Sequence, residues 1–193
     1  MTAPAPPARC DAQQRRTILL EARALGVPLD YGRVRRLNIV REPRALASIG
    51  EDIHARVQWL APRAARAFER MHTAAAADAI ELQLVSAFRS TEYQLGILKR
   101  KLERGQSMDE ILRVSAAPGY SEHHSGRAID LTSPGYPALE ETFEASPAFA
   151  WLCRRASQFG FTLSYPRGNP HRIAYEPWHW CWQARHRMRA TSS

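Results

Sequence analysis

The apolar residues change period between Leu60 and Phe88, and that change restricts the fold more than anything else in the chain. Leu60, Ala64, Phe68, Met71 and Ala75 recur at intervals of 4, 4, 3 and 4, the spacing of a helix with one buried face. From Glu81 to Phe88, Leu82, Leu84, Ser86 and Phe88 alternate instead, which predicts a strand. The switch recurs downstream. Thr91 and Gln94 fit a capping box opening a helix that runs through Leu95, Leu98 and Leu102. Residues 115–126 read as a Gly/Ser/Pro/His-rich loop and Arg127–Leu131 as a short strand. Ser146-Pro147 opens another helix and Gly160 closes it. Phe161–Tyr165 and Trp178–Trp182 read as strands. Upstream, residues 12–25 are helical, ended by Gly26 and Pro28, while residues 30–54 carry mixed signals. Strands precede and follow helices without a strict βαβ rhythm, so the expected class is α+β.

Composition sets the outer limits. With 193 residues, 45% of them hydrophobic, the chain has the size and apolar content for one domain with a real core. No run approaches the ~18 apolar residues of a membrane-spanning helix. Cys10, Cys153 and Cys181 cannot all pair with one another, so a disulfide framework is excluded. The net charge of +8 suggests an anionic partner. Yet only Lys99 and Lys101 are lysines, and the arginines are scattered, with weak clusters at Arg33, Arg35, Arg36 and at Arg185, Arg187, Arg189. That is a bias of the whole chain rather than a binding patch, and no nucleic-acid partner is expected. Residues 1–11 are rich in Pro and Ala and are expected to be disordered. They lack the basic start and apolar stretch of a signal peptide.

The histidines are unevenly placed. His123 and His124 sit together in the Gly/Ser loop, and His179 lies in the aromatic strand three residues after Glu176. Asp130 ends a strand seven residues after His123. Taken singly, each has an ordinary structural reading: a turn residue for Asp130, a core histidine for His179. Together they supply two imidazoles, one carboxylate ligand and a spare carboxylate. A catalytic zinc site needs three protein ligands and an open position for water, with a base to take the proton. The residues alone do not choose between His123 and His124.

The run from Ser121 to Asp130 (SEHHSGRAID) resembles the pattern S-x-H-x-x-G-x-A-x-D, and Glu176-Pro177-Trp178-His179 resembles E-x-W-H. Ser86–Ser90 resembles S-x-Y-R-S with Phe88 in the tyrosine position. In this order they resemble the zinc D-alanyl-D-alanine carboxypeptidases of the vancomycin-resistance type. That group includes D-Ala-D-Ala dipeptidases, L,D-carboxypeptidases and phage L-alanyl-D-glutamate endolysins, and shares its fold with the hedgehog signalling domain. The resemblance spans Leu60 to Trp182 and leaves residues 1–59 unmatched. It implies a small antiparallel sheet flanked by helices. It divides the chain into a partly helical extension (1–59), a catalytic domain (60–183) and a basic tail (184–193). It implies zinc held by His123, Asp130 and His179, with the motif register choosing His123 over His124, which stands where many relatives have Gln. Glu176 is implied as the base and Arg89 as the group steadying the substrate carbonyl or oxyanion. Ser121 and Gln94 are implied as pocket residues. The implied substrate is the peptidoglycan stem peptide or its precursor, cut before its terminal D-alanine. The alternatives are L,D-carboxypeptidase or endopeptidase action, or a zinc-containing binding module without catalysis. The cell envelope is the implied compartment, and the cytoplasm is the alternative because no signal peptide is visible.

In a straight strand Glu176 and His179 would face opposite sides. A bend at Pro177 is therefore expected, with Trp178, Trp180 and Trp182 turned into the core. Cys181 is expected to be a buried structural thiol, because a fourth protein ligand would close the site to water.

Overall fold

The computed structural model describes residues 5–183. The basic tail expected at 184–193 lies outside the described residues, as do the first four residues. The chain begins with α1 (Ala12–Ala24), α2 (Tyr31–Val34) and the hairpin β1 (Ala47–Glu51)–β2 (Val57–Leu60). Then come α3 (Pro62–Ala77), β3 (Gln83–Ser86), α4 (Thr91–Glu103) and α5 (Met108–Val114). A 3₁₀ turn at Glu122–Ser125 leads into β4 (Ala128–Thr132), followed by α6 (Pro147–Arg155), β5 (Phe161–Leu163) and β6 (His179–Trp182). β1 and β2 pair on their own, and the other four strands form an antiparallel sheet in the order β3-β4-β6-β5. This is the α+β arrangement expected.

Two sequence readings shift. Leu60 belongs to β2 rather than to the following helix, which starts at Pro62. Proline at the first helical position loses no hydrogen bond, and it holds the preceding Ala61 extended (φ −59°, ψ 141°). The cap of α4 is Ser90, whose hydroxyl accepts from the Tyr93 N–H. Thr91 is not the cap, because its N–H and hydroxyl both donate to Glu42 Oε1, each at 2.7 Å. Gln94 faces inward and donates to the Ala116 carbonyl.

Apolar side chains gather in two cores. The larger lies between the four-stranded sheet, α3 and α6, with Phe68, Met71, Ile129, Leu131, Phe143, Leu152 and Phe161 buried. Trp180 is fully packed there, and Trp178 and Trp182 pack against it partly buried. The smaller joins α1 and α2 to α4 and α5 through Ile18, Ala22, Tyr31, Leu95, Leu98, Ile111 and Leu112. β4, buried along all five residues, is one of the two inner strands of the sheet and carries Asp130.

Candidate metal centre and substrate cavity

Register places two of the expected ligands together. Asp130 on β4 lies directly opposite His179 on β6, so their side chains share one face of the sheet. A register irregularity between Leu84 and Ser86 sets Ser86 opposite Asp130 from the other side. His123 comes from the 3₁₀ turn, which ends at Gly126 (φ 63°). A Cβ at position 126 would approach the Ala61 nitrogen to 2.9 Å, so the turn requires glycine there for backbone contact as well as for its φ.

The ligand-capable atoms of His123, Asp130 and His179 all lie within 4.8 Å of one another, and all three residues are buried. His123 Nδ1 donates to the Ala87 carbonyl at 2.5 Å, which leaves Nε2 bearing the lone pair. That Nε2 is buried and makes no hydrogen bond, although Asp130 Oδ2 is 3.2 Å away. Burial, helped by the Arg89 charge, pushes the His123 pKa down to about 4, so its ring is neutral. His179 stands between two carboxylates, with Nδ1 3.0 Å from Asp130 Oδ1 and Nε2 2.9 Å from Glu122 Oε2. Burial opposes its charge, but Asp130 and Glu122 together outweigh burial and raise its pKa to about 10. The Asp130 carboxyl is also desolvated, yet the two histidines hold its pKa far below the ordinary range.

The expected bend at Pro177 is present. The His179 N–H donates to the Glu176 carbonyl, and the strand starts only at His179. This turn brings Glu176 Oε2 to 3.8 Å from His179 Nδ1. Burial, with Asp130 and Glu122 nearby, raises the Glu176 pKa to about 7 against the opposing pull of His179 and Arg89. A cation beside it would draw that value back down. Across the site, Arg89 Nη2 is 3.4 Å from Asp130 Oδ2 and Nη1 is 3.4 Å from Gln94 Oε1, while its buried Nε has no partner.

Arg89, Gln94, Ser121, His123, Glu176 and His179 line one cavity of about 40 Å³. Asp130 touches His123, His179 and Arg89. All seven residues singled out in the sequence are thus gathered in one place. Cys181 is buried and outside the ligand group. A larger cavity, about 710 Å³, is walled by β1, α3 and β3 and includes none of the seven.

The sequence reading did not assign the roles that three neighbours take in the structure. Glu122 orients His179 by accepting from its Nε2. Tyr165, buried, lines the cavity with its ring centroid 4.8 Å from that of His179. His124 is fully buried and acts as a strut: Nδ1 donates to the Arg89 carbonyl at 2.7 Å and Nε2 accepts from the Gly119 N–H at 3.1 Å. Gln offers the same donor and acceptor pair, which accounts for either residue at this position. Only Glu122 and His124 carried a signal, through adjacency to His123.

A buried His–Asp–His group with a carboxylate on one side and a guanidinium on the other is the arrangement of a metal-dependent hydrolase. Comparison narrows the class. The VanY family, described as D-alanyl-D-alanine carboxypeptidase, matches residues 57–185, and the chain belongs to that family. YodJ of Bacillus subtilis (strain 168) is 32% identical over 127 residues, covering 63% of this chain and 45% of YodJ. The LdcB LD-carboxypeptidase, whose structure is described as revealing the basis of peptidoglycan recognition, superposes with a TM-score of 0.66 at 30% identity, covering 73% of this chain and 69% of LdcB. A VanY D,D-pentapeptidase variant in complex with Zn(II), at 22% identity and a TM-score of 0.58, covers 75% of this chain and 83% of that one and shares the fold. The chain spans less than half the length of the first curated relatives it matches.

Proposed function

We propose that the chain is a zinc D,D-carboxypeptidase that removes the terminal D-alanine from peptidoglycan stem peptides or their precursors. The observation that carries this reading is the convergence of His123, Asp130 and His179 within 4.8 Å, with the Glu176 carboxylate 3.8 Å from His179. The residues suit zinc. His123 Nε2 is a buried lone pair without a hydrogen-bond partner, and two imidazoles with one carboxylate are a common catalytic zinc set. Zinc held there would supply Lewis acidity and a water pKa lowered toward ~7. Glu176 takes the proton of the attacking water and returns it to the leaving amine, and burial suits it to both tasks. Arg89 presents its guanidinium to the carbonyl oxygen as negative charge develops. Ser121 and Gln94 shape the pocket. Residues 60–183 form the catalytic unit, 1–59 support it, and the cell envelope is the place of work, where the proposed substrate lies.

The likeness to LdcB supports a second reading, L,D-carboxypeptidase action on the tetrapeptide stem. Incubating the zinc-loaded protein with pentapeptide and tetrapeptide stems and weighing the products separates the two. D-Alanine released from the pentapeptide supports the first reading, and release from the tetrapeptide alone supports the second. Glu176→Gln should keep its zinc while turnover falls about 10²–10⁴-fold, the usual range for a lost general base. His179→Ala should lose zinc by elemental analysis, and full retention would remove His179 from the ligand set.

A further inference from the structure

The loop between β5 and β6, residues 164–178, supplies one wall of the cavity beside the ligand group. Tyr165 and Ile173, both buried, line it together with Glu176. No helix or strand holds this loop, so its own contacts decide where the wall stands. At its base the Glu176 N–H donates to the Tyr165 carbonyl at 3.1 Å. Inside, the buried Asn169 donates through Nδ2 to the Pro166 carbonyl at 3.0 Å and to the Ile173 carbonyl at 2.8 Å. Its Oδ1 accepts from the His171 N–H at 3.1 Å.

The tip of the loop is tied to Arg35, which directly follows α2 and precedes the stretch matched by the family, 57–185. His171 Nδ1 donates to the Arg35 carbonyl at 3.0 Å, since a carbonyl can only accept. In return the Arg35 guanidinium donates to the Arg172 carbonyl and reaches the His171 carbonyl at 3.5 Å. Among the described residues that guanidinium meets no carboxylate. It lies 5.8 Å from the ring centroid of Tyr31, which is buried in the smaller core and accepts from the Ala117 N–H, so the anchor is itself fixed. Arg172 has φ 53°, a left-handed backbone that a non-glycine residue keeps only where its surroundings impose it. The His171 ring packs edge-on to Tyr165, with centroids 6.1 Å apart, and Tyr165 packs on His179. Contact is therefore continuous from Arg35 through His171 and Tyr165 to the ligand group.

We propose that Arg35 and His171 form a latch by which the segment ahead of the catalytic domain fixes the Tyr165–Ile173 wall and so sets the size of side chain the cavity admits. The proposal rests on the peptidase reading above and adds to it a determinant of selectivity outside the matched domain. Both are positioning residues, because neither lines the cavity. The cavity is small, about 40 Å³, so a modest shift of this wall changes what fits. Glu176 is held separately, by the turn at Pro177 and the strand behind it, so the latch bears on fit more than on proton transfer.

The test uses zinc-loaded protein, with diacetyl-L-lysyl-D-alanyl-D-alanine and the same peptide ending in D-leucine as probes. The wild type should prefer the D-alanine probe. Arg35→Ala and His171→Ala should each narrow that preference in kcat/KM about tenfold, chiefly through KM, with kcat on the D-alanine probe within about twofold of wild type. His171→Asn, whose amide can donate where Nδ1 does, should restore most of the preference. A parallel fall in kcat on both probes would overturn the proposal, as would a preference that survives both Ala variants. Hydrogen exchange read by mass spectrometry separates this result from a failure of the peptidase reading. Peptides covering 165–176 should exchange about tenfold faster in either Ala variant, with α4 and β4 unchanged. Unchanged exchange over 165–176 would refute the latch whatever the activity. Acceleration spread through α4 and β4 as well would reduce the pair to general support of the fold and overturn it too. Faster exchange confined to the loop, in a protein that cleaves neither probe, would support the latch and overturn the peptidase reading instead.

Discussion

Glu122 does for His179 what the Ala87 carbonyl does for His123: each accepts from the ring nitrogen turned away from the ligand group. Such outer contacts fix ring orientation and tautomer, and losing one typically costs 10–100-fold in metal affinity. Glu122→Gln should therefore bind zinc about 10–100-fold more weakly in competition with a chromogenic chelator, with the fold intact by circular dichroism. An unchanged affinity would make Glu122 a bystander. At this scale the sequence was most informative about ligand types and least about their partners. Glu122 is adjacent to His123 in the chain but serves His179, 57 residues away. That pairing is created by folding and has no local signature. His123 and His124 differ in direction: one imidazole points to Asp130, the other braces Arg89 against Gly119.

Among the elements, the β1–β2 hairpin was the least legible, within a stretch of mixed signals. Its turn is organised by Asp52, whose side chain is buried. The carboxylate accepts from the Arg56 and His54 N–H groups, from Arg56 Nε and from Gln58 Nε2. Burial works against its charge, but these donors outweigh burial and lower its pKa. A carboxyl depressed on folding contributes its stability above the unfolded value of ~3.9 and loses it as pH falls through the folded value. Asp52→Asn should cost about 1–3 kcal/mol near neutrality, the usual range for a disturbed buried polar group. The gap to wild type, measured by denaturant melts, should close in acid below pH ~4. A gap independent of pH would mean that the charge is irrelevant. Helix starts were marked locally, by Pro62 and by Ser90. The misplacement at Thr91 arose because its hydroxyl is claimed by Glu42, 49 residues earlier, which no local pattern reveals.

Over the whole molecule, the amphipathic first helix was visible in the sequence but its destination was not. Ile18, Ala22 and Tyr31 cover Leu95, Leu98, Ile111 and Leu112, and the Tyr31 hydroxyl accepts from the buried Ala117 N–H at 3.2 Å. Deleting residues 1–46 should expose that smaller core and lower the melting temperature sharply, whereas Tyr31→Phe should cost only about 1–3 kcal/mol by leaving one N–H unpaired. A truncated protein that melts like the full chain would show residues 1–46 to be dispensable.

The cavity beside the ligand group is lined from elements that pack in both cores. β4 and β6, which pack in the larger core through Ile129, Leu131 and Trp180, carry Asp130 and His179 of the group proposed to break the bond, and α4, which packs in the smaller core through Leu95 and Leu98, carries Gln94, proposed to shape the pocket. Warming or mutation that loosens α1 and α2 would then blunt discrimination before it abolishes chemistry. A damaged enzyme of this build would become indiscriminate first and inert afterwards.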